Sequence, residues 1–435
     1  MTVLRSRGVA PVALVGVAAM LLAACSSTSS TSSPTSASGS PSSSAAPAST
    51  CVSDPQAVIS RQLPATATTA SLPADLVAKL DAAAAAGFAQ AVAPGAVVGV
   101  RTPEGTWLKA YGLADPETKQ PMSTDVHQRI GSVTKTMTGT VILQLAQEGK
   151  LSLEDTISTY VDGVPNGEQI TLRQLASMVS GVASYTRSTV FTDDYFAHPE
   201  KVFTPDELLA VGISESPLFP PGEKFDYSNT NTVLLGKVIE KVTGSDIATQ
   251  FGQRIFTPLE LSGTSWPGDS PNLPSPYARG FTLQGSGTPQ KPADATFWNP
   301  AWGWTAGEAI STVPDLLDYG RAIGTGQGLL DAEAQTARLT SFPGAAGYGI
   351  AMGCVDGWVG HTGELPGYNT SVFYDTTTDT TVITATNSDI NSGDCTTSPV
   401  MPDNPKGIPC RAPATRIFVS ISEALGHTFT PPPTT

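Results

Sequence analysis

The order of helix and strand patterns along the chain limits its fold more than any other feature. Two strand-like runs, 96–101 and 106–111, are joined by a turn into a hairpin, and strand patterns then return only from residue 348 onward. The section between, about 150–335, consists of helical stretches and Pro- and Gly-rich loops. Tight turns between the late strands require antiparallel pairing. We therefore expect an antiparallel sheet flanked by helices, with an inserted, mainly helical subdomain.

The individual elements follow from periodicity and turn residues. Apolar residues at helical spacing after Gly131 predict a helix that stops at Gly149. The other predicted elements are helices at 75–90 and 412–425 and strands at 348–354, 358–362, 370–374 and 380–386. These elements define a sheet lobe (about 75–150 and 336–427) and a helical lobe (about 150–335). The fold class is therefore α/β of the α+β kind, since a doubly wound sheet would need strands alternating with helices throughout.

The first 25 residues have the features of an export signal. Arg5 and Arg7 precede an apolar run from Val9 to Leu22, which leads through two alanines to Cys25. The run is short for a membrane-spanning helix, and an ordinary signal peptide or a membrane anchor is the alternative. The pattern resembles a bacterial lipobox, which implies that 1–25 is a lipoprotein signal peptide and that Cys25 carries the lipid.

The composition of the next segment predicts a disordered tether over 26–52. Residues 26–50 include no charged and no large apolar side chain, and 17 of these 25 residues are Ser or Thr. Such a segment cannot bury enough surface to offset its ordering entropy. A folded domain is expected over 53–427 and a flexible tail over 428–435. We expect an exported protein, anchored through its N-terminal lipid to the outer face of the bacterial cell membrane.

Composition and charge exclude several classes of function. With 24 basic and 38 acidic residues the formal net charge is −14. Such a field repels phosphate backbones, so nucleic acid is not an expected partner. No Gly-rich loop is followed by Gly-Lys-Ser/Thr, so a nucleotide phosphate site has no support. The four histidines lie at no metal-ligand spacing from each other or from a cysteine, so the sequence predicts neither a metal nor another cofactor.

Four cysteines follow Cys25, and an even number in an exported protein indicates two disulfides with three possible pairings. Cys395 and Cys410 bracket a loop rich in Pro, Gly and Asp, where a local bridge is reasonable. Cys51 would then pair with Cys354. Catalytic thiol chemistry is the minor alternative.

Ser132-Val-Thr-Lys135 is the first motif that can carry chemistry. Positions three apart share a helix face, so the hydroxyl and the amine can point into one site. Ser132 lies at the predicted helix start, where free N–H groups favour developing negative charge. A serine hydroxyl needs a neighbouring base, and Lys135 can serve only if its surroundings lower its pKa. Many such pairs are simply solvated helix faces.

Tyr227-Ser-Asn229 is the second motif, at the end of a Pro/Gly-rich loop that enters a helix predicted over 233–241. A phenol can relay a proton, and the amide can orient a substrate carbonyl or the lysine. A packed tyrosine beside an asparagine helix cap is the alternative. His361-Thr-Gly363 is the third motif, predicted to end a strand whose open edge could pair with an extended substrate.

Together and in this order, the three motifs resemble the signature of the penicillin-recognising serine hydrolases: class C β-lactamases, secreted DD-carboxypeptidases and related esterases. The resemblance covers roughly residues 75–390 and includes the segments 171–182 and 306–316. It implies a β-lactamase/transpeptidase-like fold and an acyl-enzyme mechanism. Ser132 is then the nucleophile, and Lys135 and Tyr227 are two coupled proton-transfer groups, either of which can take the serine proton.

The resemblance also implies how the cleft binds its substrate. Asn229 positions the substrate, Thr362 and Gly363 line the cleft wall, and the N–H groups of Ser132 and Glu364 bind the oxyanion. His361 stands where many members carry Lys. This departure, the negative charge of Glu364, and the absence of Arg and Lys from 348–354 weaken the binding of an anionic substrate terminus.

These features predict a D-alanyl-D-alanine carboxypeptidase-like serine hydrolase acting on peptidoglycan-type peptides. An esterase or a β-lactamase of the same family is the alternative, and a penicillin-binding sensor or a solute-binding lipoprotein is the non-enzyme rival. A solute-binding protein would show two similar α/β lobes, and a sensor usually lacks a motif residue. No Gly-x-Ser-x-Gly occurs, which disfavours an α/β-hydrolase.

Overall fold

An antiparallel sheet forms the centre of the fold in the computed structural model, which describes residues 50–432. The strands of the described residues are β1 (Gly95–Thr102), β2 (Gly105–Asp115), β3 (Gln120–Pro121), β4 (Gln128–Arg129), β5 (Phe281–Thr282), β6 (Ala293–Asp294), β7 (Ile310–Ser311), β8 (Ala346–Tyr348), β9 (Gly353–Val355), β10 (Trp358–Leu365), β11 (Tyr368–Asp375) and β12 (Thr380–Thr386). Eight of them form one sheet in the order β3-β2-β1-β12-β11-β10-β9-β8. The predicted signal peptide, Cys25 and the tether up to residue 49 lie outside the described residues.

Helices cover both faces of this sheet. They are α1 (Pro55–Ser60), α2 (Ala74–Gln90), α3 (Thr134–Gln147), α4 (Leu172–Ala176), α5 (Thr189–Ala197), α6 (Pro205–Ser214), α7 (Asn229–Thr243), α8 (Ile247–Phe251), α9 (Val313–Thr325), α10 (Ala332–Leu339) and α11 (Pro413–Leu425). Helices α2 and α11 pack together on one face, and α9 packs on the other. Most of the remaining helices form the inserted lobe, so the predicted fold class is confirmed. Within 50–432, no helix is both long and apolar enough to cross a membrane.

The central strands are buried on both faces because helices cover each side of the sheet. Every residue of β1 and β12 is buried. Val98 and Val382 belong to the core beneath α2 and α11, which also includes Phe418. Val97 and Ile383 belong to the core on the opposite face. Adjacent residues of a strand point to opposite faces, so β-branched residues in succession suit this two-sided burial.

Two predicted strands near the third motif had wrong boundaries, and β2 also runs to Asp115 instead of ending at residue 111. The run 348–354 is two strands, β8 and β9, separated by a turn in which the Gly349 N–H donates to the Met352 carbonyl at 2.9 Å. The Ala351 N–H donates to the Ala176 carbonyl at 2.9 Å, so this backbone binds the helical lobe instead of a neighbouring strand. Strand β10 also continues beyond Gly363 to Leu365, so the third motif lies inside the strand and not at its end.

The packed domain extends beyond its predicted limits at both ends. Cys51 and Val52 are buried, although they were assigned to the tether. Phe429, assigned to the flexible tail, is also buried and packs against Phe418 with 5.0 Å between ring centroids. Both segments carry apolar side chains that the sheet lobe can bury. The predicted limits came from the Ser, Thr and Pro content of each segment, which does not identify single buried residues.

Two disulfides connect the described residues. Cys51 bonds to Cys354 on β9, and Cys395 bonds to Cys410. These are the pairings that the loop argument favoured from the sequence. The first bond ties the start of the described chain to β9, which pairs with the strand that carries the third motif.

Candidate active site

Ser132 lies in a tight helical turn, Gly131–Val133, that leads directly into α3. Gly131 has φ +53°, and a Cβ on it would lie 2.5 Å from the backbone nitrogen of Glu364. Only glycine therefore allows β10 to approach the turn this closely. Ser132 remains partly exposed while its neighbours are buried, so its hydroxyl is accessible to a substrate.

Lys135 is fully buried one helical turn after the serine. Its Nζ lies 2.9 Å from Ser132 Oγ and donates to the Ala306 carbonyl at 2.6 Å. No carboxylate forms a salt bridge with this amine among the residues that the structure describes. Burial therefore lowers the pKa of Lys135 well below its ordinary value. A lowered pKa favours the neutral amine, whose lone pair can accept the serine proton.

The Ala306 carbonyl is a functional contact that the sequence reasoning missed. It belongs to a short helical turn, Trp304–Ala306, that is anchored on both sides. Thr138 Oγ1 on α3 donates to the Thr305 carbonyl at 2.8 Å, and Thr305 Oγ1 donates to the Thr232 carbonyl on α7 at 2.9 Å. These bonds fix the carbonyl that orients the lysine. The resemblance of 306–316 to the family pattern was the available signal.

Tyr227 meets the same pair from the loop before α7. Its ring centroid lies 5.0 Å from Lys135 Nζ, and its hydroxyl hydrogen-bonds with Ser132. Burial raises the pKa of Tyr227 above its ordinary value, although the bond with Ser132 opposes the shift. The phenol is therefore protonated in the free protein, where it can donate a proton.

Asn229 is the first residue of α7, four residues before the predicted start of this helix at residue 233. Its Nδ2 donates to Thr186 Oγ1 at 3.0 Å, and its backbone N–H donates to Ser184 Oγ at 3.1 Å. The amide thus contacts the 184–186 segment instead of orienting Lys135.

Arg187 was also missed by the sequence reasoning. It donates to the Tyr227 carbonyl at 2.8 Å and holds that backbone in place.

His361 is buried on β10 behind the reacting groups. Its Nδ1 contacts the Thr362 carbonyl, which can only accept, so Nδ1 carries the proton and Nε2 accepts from the Tyr348 hydroxyl at 3.1 Å. Burial first, and then the charge of Lys135, lower the pKa of His361 to about 3. The imidazole is neutral at physiological pH and supplies no fixed positive charge. The role of Tyr348 could not be read from its position in the sequence.

The cleft wall is formed by the second half of β10. Thr362 and Glu364 are exposed, while His361, Gly363 and Leu365 are buried, as alternation along a strand requires. Strand β9 pairs only with residues 358–360. A Cβ on Gly363 would lie 1.8 Å from the Ile130 carbonyl oxygen, so glycine is required for the contact between β10 and the serine turn.

The backbone of this site brings close together the two nitrogens that are predicted to bind an oxyanion. Ser132 is the second residue of its turn, where N–H groups have no partner within the helix. A Cβ built on Gly363 would lie 3.2 Å from the Ser132 nitrogen, and a Cβ built on Gly131 would lie 2.5 Å from the Glu364 nitrogen. The two nitrogens predicted to bind the oxyanion therefore lie on adjoining pieces of backbone.

Comparison with known proteins agrees with this geometry. Residues 78–399 match the family model described as Beta-lactamase, which covers more than half of the chain. The chain belongs to this family. Its members are serine hydrolases, and the fold and the nucleophile environment described above fit that chemistry.

Three individual proteins show how similar the chain is to known sequences and structures. Protein flp of Staphylococcus aureus is 33% identical over 183 residues, which cover 41% of this chain and 35% of that protein. The chain therefore spans about a third of the length of this curated relative. A D-stereospecific amidohydrolase from Streptomyces sp. is 31% identical, with a TM-score of 0.66 over 72% of this chain and 94% of that chain. A D-amino acid amidase from Ochrobactrum anthropi is 25% identical, with a TM-score of 0.65 over 72% and 92%.

Proposed function

We propose that this protein hydrolyses amide bonds at D-amino acid residues, in peptidoglycan-type peptides, through an acyl-enzyme on Ser132. The observation that carries the proposal is the 2.9 Å contact between Ser132 Oγ and the buried amine of Lys135. The expected D-alanyl-D-alanine carboxypeptidase activity is one member of this class of reactions.

Lys135 acts as the base in acylation, because burial lowers the pKa of its amine and raises the pKa of the Tyr227 phenol. The amine takes the serine proton as Oγ attacks the carbonyl carbon, and the N–H groups of Ser132 and Glu364 bind the oxyanion. Tyr227 then donates its proton to the departing amine, and the proton held by Lys135 restores the phenol. Water attacks the acyl-enzyme by the same steps in reverse order.

The preference for D-residues is supported by the likeness to the D-stereospecific amidohydrolase, whose chain is covered to 94%. The neutral state of His361 and the absence of Arg and Lys from 346–365 favour an amide over a terminal carboxylate next to the scissile bond. These features support amidase or endopeptidase activity more than removal of a terminal D-alanine.

The proposal includes a location beside the substrate. The N-terminal resemblance to a lipobox at Cys25 and the Ser/Thr-rich segment after it support anchoring at the outer face of the cell membrane. Two disulfides in the described residues suit an exported protein.

The test is a comparison of acyl donors with the purified protein. D-alanine amide, L-alanine amide, a peptide ending in D-Ala-D-Ala, a cephalosporin and a short-chain ester are measured side by side for kcat/KM, with Ser132→Ala as the control. We expect the D-amide to exceed its L-enantiomer and the cephalosporin. Equal rates for the two enantiomers, or hydrolysis of the ester or the cephalosporin alone, would contradict the proposal.

A further inference from the structure

The oxyanion site depends on the direction of one peptide group, the one that joins Gly363 to Glu364. A trans peptide is planar, and its C=O and N–H point in opposite directions. Whatever fixes the Gly363 carbonyl therefore also fixes the direction of the Glu364 N–H. The serine turn confines this backbone on one side, since a Cβ built on Gly363 would lie 1.8 Å from the Ile130 carbonyl oxygen.

Asn369 on β11 holds the Gly363 carbonyl from the other side. Glu364 faces Asn369 in the antiparallel register of β10 and β11. The Asn369 side chain is buried, and its Nδ2 donates to the Gly363 carbonyl at 3.1 Å. Because this carbonyl points toward β11, the Glu364 N–H points away from β11, toward the turn that carries Ser132.

The amide of Asn369 is itself held in one orientation. Its Oδ1 accepts from the Ala414 N–H at 3.0 Å. Ala414 is the second residue of α11, where an N–H has no partner within the helix. Thr384 Oγ1 on β12 donates to the Ala414 carbonyl at 2.8 Å and so ties this end of the helix to the sheet. An N–H only donates and a carbonyl only accepts, so these two partners fix which end of the amide faces Gly363.

We propose that Asn369 is a positioning residue of the oxyanion site, which aims the Glu364 N–H at the carbonyl oxygen of the substrate. A donor in such a site stabilises the transition state because it already points at the place where negative charge develops. Asn369 does not touch the substrate and acts through the Gly363–Glu364 peptide. This inference rests on the proposed acyl-enzyme function and adds how one of its two oxyanion donors is held.

The test is Asn369→Asp, which keeps the shape of the side chain. An ionised carboxylate can still accept from the Ala414 N–H, but it cannot donate to the Gly363 carbonyl. With N-acetyl-D-alanine p-nitroanilide at pH 8 we expect kcat to fall by roughly tenfold or more, with KM little changed.

The loss in Asn369→Asp should shrink as the pH falls toward 5, because a protonated carboxyl group can donate as the amide does. The carboxyl group of Glu364, opposite it in the register, opposes ionisation at this position. Each rate is divided by that of the unaltered protein at the same pH, which removes the titration of Lys135 and Glu364 from the comparison.

Asn404→Asp is the matched control. Asn404 is also buried, and it lies in the loop that the Cys395–Cys410 disulfide closes. Its Nδ2 donates to the Gly393 carbonyl at 2.7 Å, and its Oδ1 accepts from the Gly393 N–H at 2.9 Å. The same exchange there should leave kcat unchanged at every pH. Circular dichroism and urea unfolding show that both variants are folded.

The rate of phosphonylation by a serine-directed fluorophosphonate is a second measurement, since attack on phosphorus also places negative charge on an oxygen. It should fall together with kcat in Asn369→Asp. A folded Asn369→Asp protein that keeps both rates at pH 8, a loss confined to KM, or a loss that does not shrink at low pH would overturn the positioning role alone. If the unaltered protein did not hydrolyse the anilide, the proposed function would be contradicted, and the phosphonylation rates would still decide the role of Asn369.

Discussion

At the scale of single residues, the account depends on the charge state of Lys135. A fully buried amine whose partners are a hydroxyl and a carbonyl oxygen has no negative charge to stabilise its protonated form. Burial lowers the pKa of Lys135 and so favours its role as a base. It also destabilises the fold, because the folded chain then binds the lysine proton less tightly than the unfolded chain does.

Lys135→Met should therefore be inactive and more stable than the unaltered protein. At pH 7 we expect the free energy of unfolding to rise by about 1 kcal/mol or more. The folded pKa is lowered, so the penalty is greatest at low pH and fades as pH rises toward about 10, where the unfolded lysine also loses its proton. Urea unfolding at pH 6, 8 and 10 measures this difference.

Lys79→Met is the control for this prediction, because Lys79 is exposed on α2. It should change neither activity nor the pH dependence of stability. A Lys135→Met protein that is destabilised equally at all three pH values would show that the amine is charged and paired in the native state.

The residues of the site differ in how well the local sequence around each one predicts its contacts. Ser132 and Lys135 are three positions apart, so helix geometry alone predicts their contact. The partner that orients the lysine is far away in sequence, since Ala306 lies 171 residues from Lys135. Contacts at this range depend on the folded topology, and local periodicity contains no information on them.

At the scale of elements, the contact between β10 and the serine turn determines the site. Gly363→Ala would place a Cβ 1.8 Å from the Ile130 carbonyl oxygen, which neither backbone can relieve without moving. We expect a loss of about 2 kcal/mol or more in the free energy of unfolding, together with loss of activity. Chemical denaturation and a kinetic assay on the same preparation measure both.

Gly353→Ala on β9 provides the comparison, since its Cβ would meet only the Gly360 carbonyl oxygen at an ordinary 3.5 Å. It should remain active. If Gly363→Ala were as stable and as active as Gly353→Ala, the close approach of β10 to Ser132 would not be required.

Element boundaries show where sequence patterns are informative. Strand β12 was predicted with its observed bounds, 380–386, because a run of β-branched residues is bordered by turns. The run 348–354 was predicted as one strand, yet Ala351 has φ +50° and its N–H pairs with the helical lobe. The pattern there is strand-like on both sides of a turn, and only a tertiary contact interrupts it.

At the scale of the whole molecule, the sheet lobe contains both ends of the domain, and Cys51–Cys354 joins its start to β9. This disulfide closes a loop of 303 residues, whereas Cys395–Cys410 closes one of 15. A longer loop has more conformational entropy to lose in the unfolded state.

Replacing both cysteines of the long loop with alanine should lower the free energy of unfolding by about 5 kcal/mol, against about 3 kcal/mol for the short loop. Equilibrium denaturation of the two double variants under oxidising conditions checks the order. A larger loss for Cys395→Ala/Cys410→Ala would contradict the entropic argument.

The overall architecture could be predicted from the sequence because strand patterns occur at both ends of the domain and helices between them. The limits of the domain could not, since Val52 and Phe429 are single apolar residues in segments of low complexity. Their burial depends on a surface that the rest of the chain provides.

The most direct test of the central claim is the intact mass of the protein after reaction with a fluorophosphonate probe, followed by peptide mapping. We predict one adduct per chain, located on Ser132 and absent from Ser132→Ala. An unmodified protein, or an adduct that persists in Ser132→Ala, would show that Ser132 is not the nucleophile.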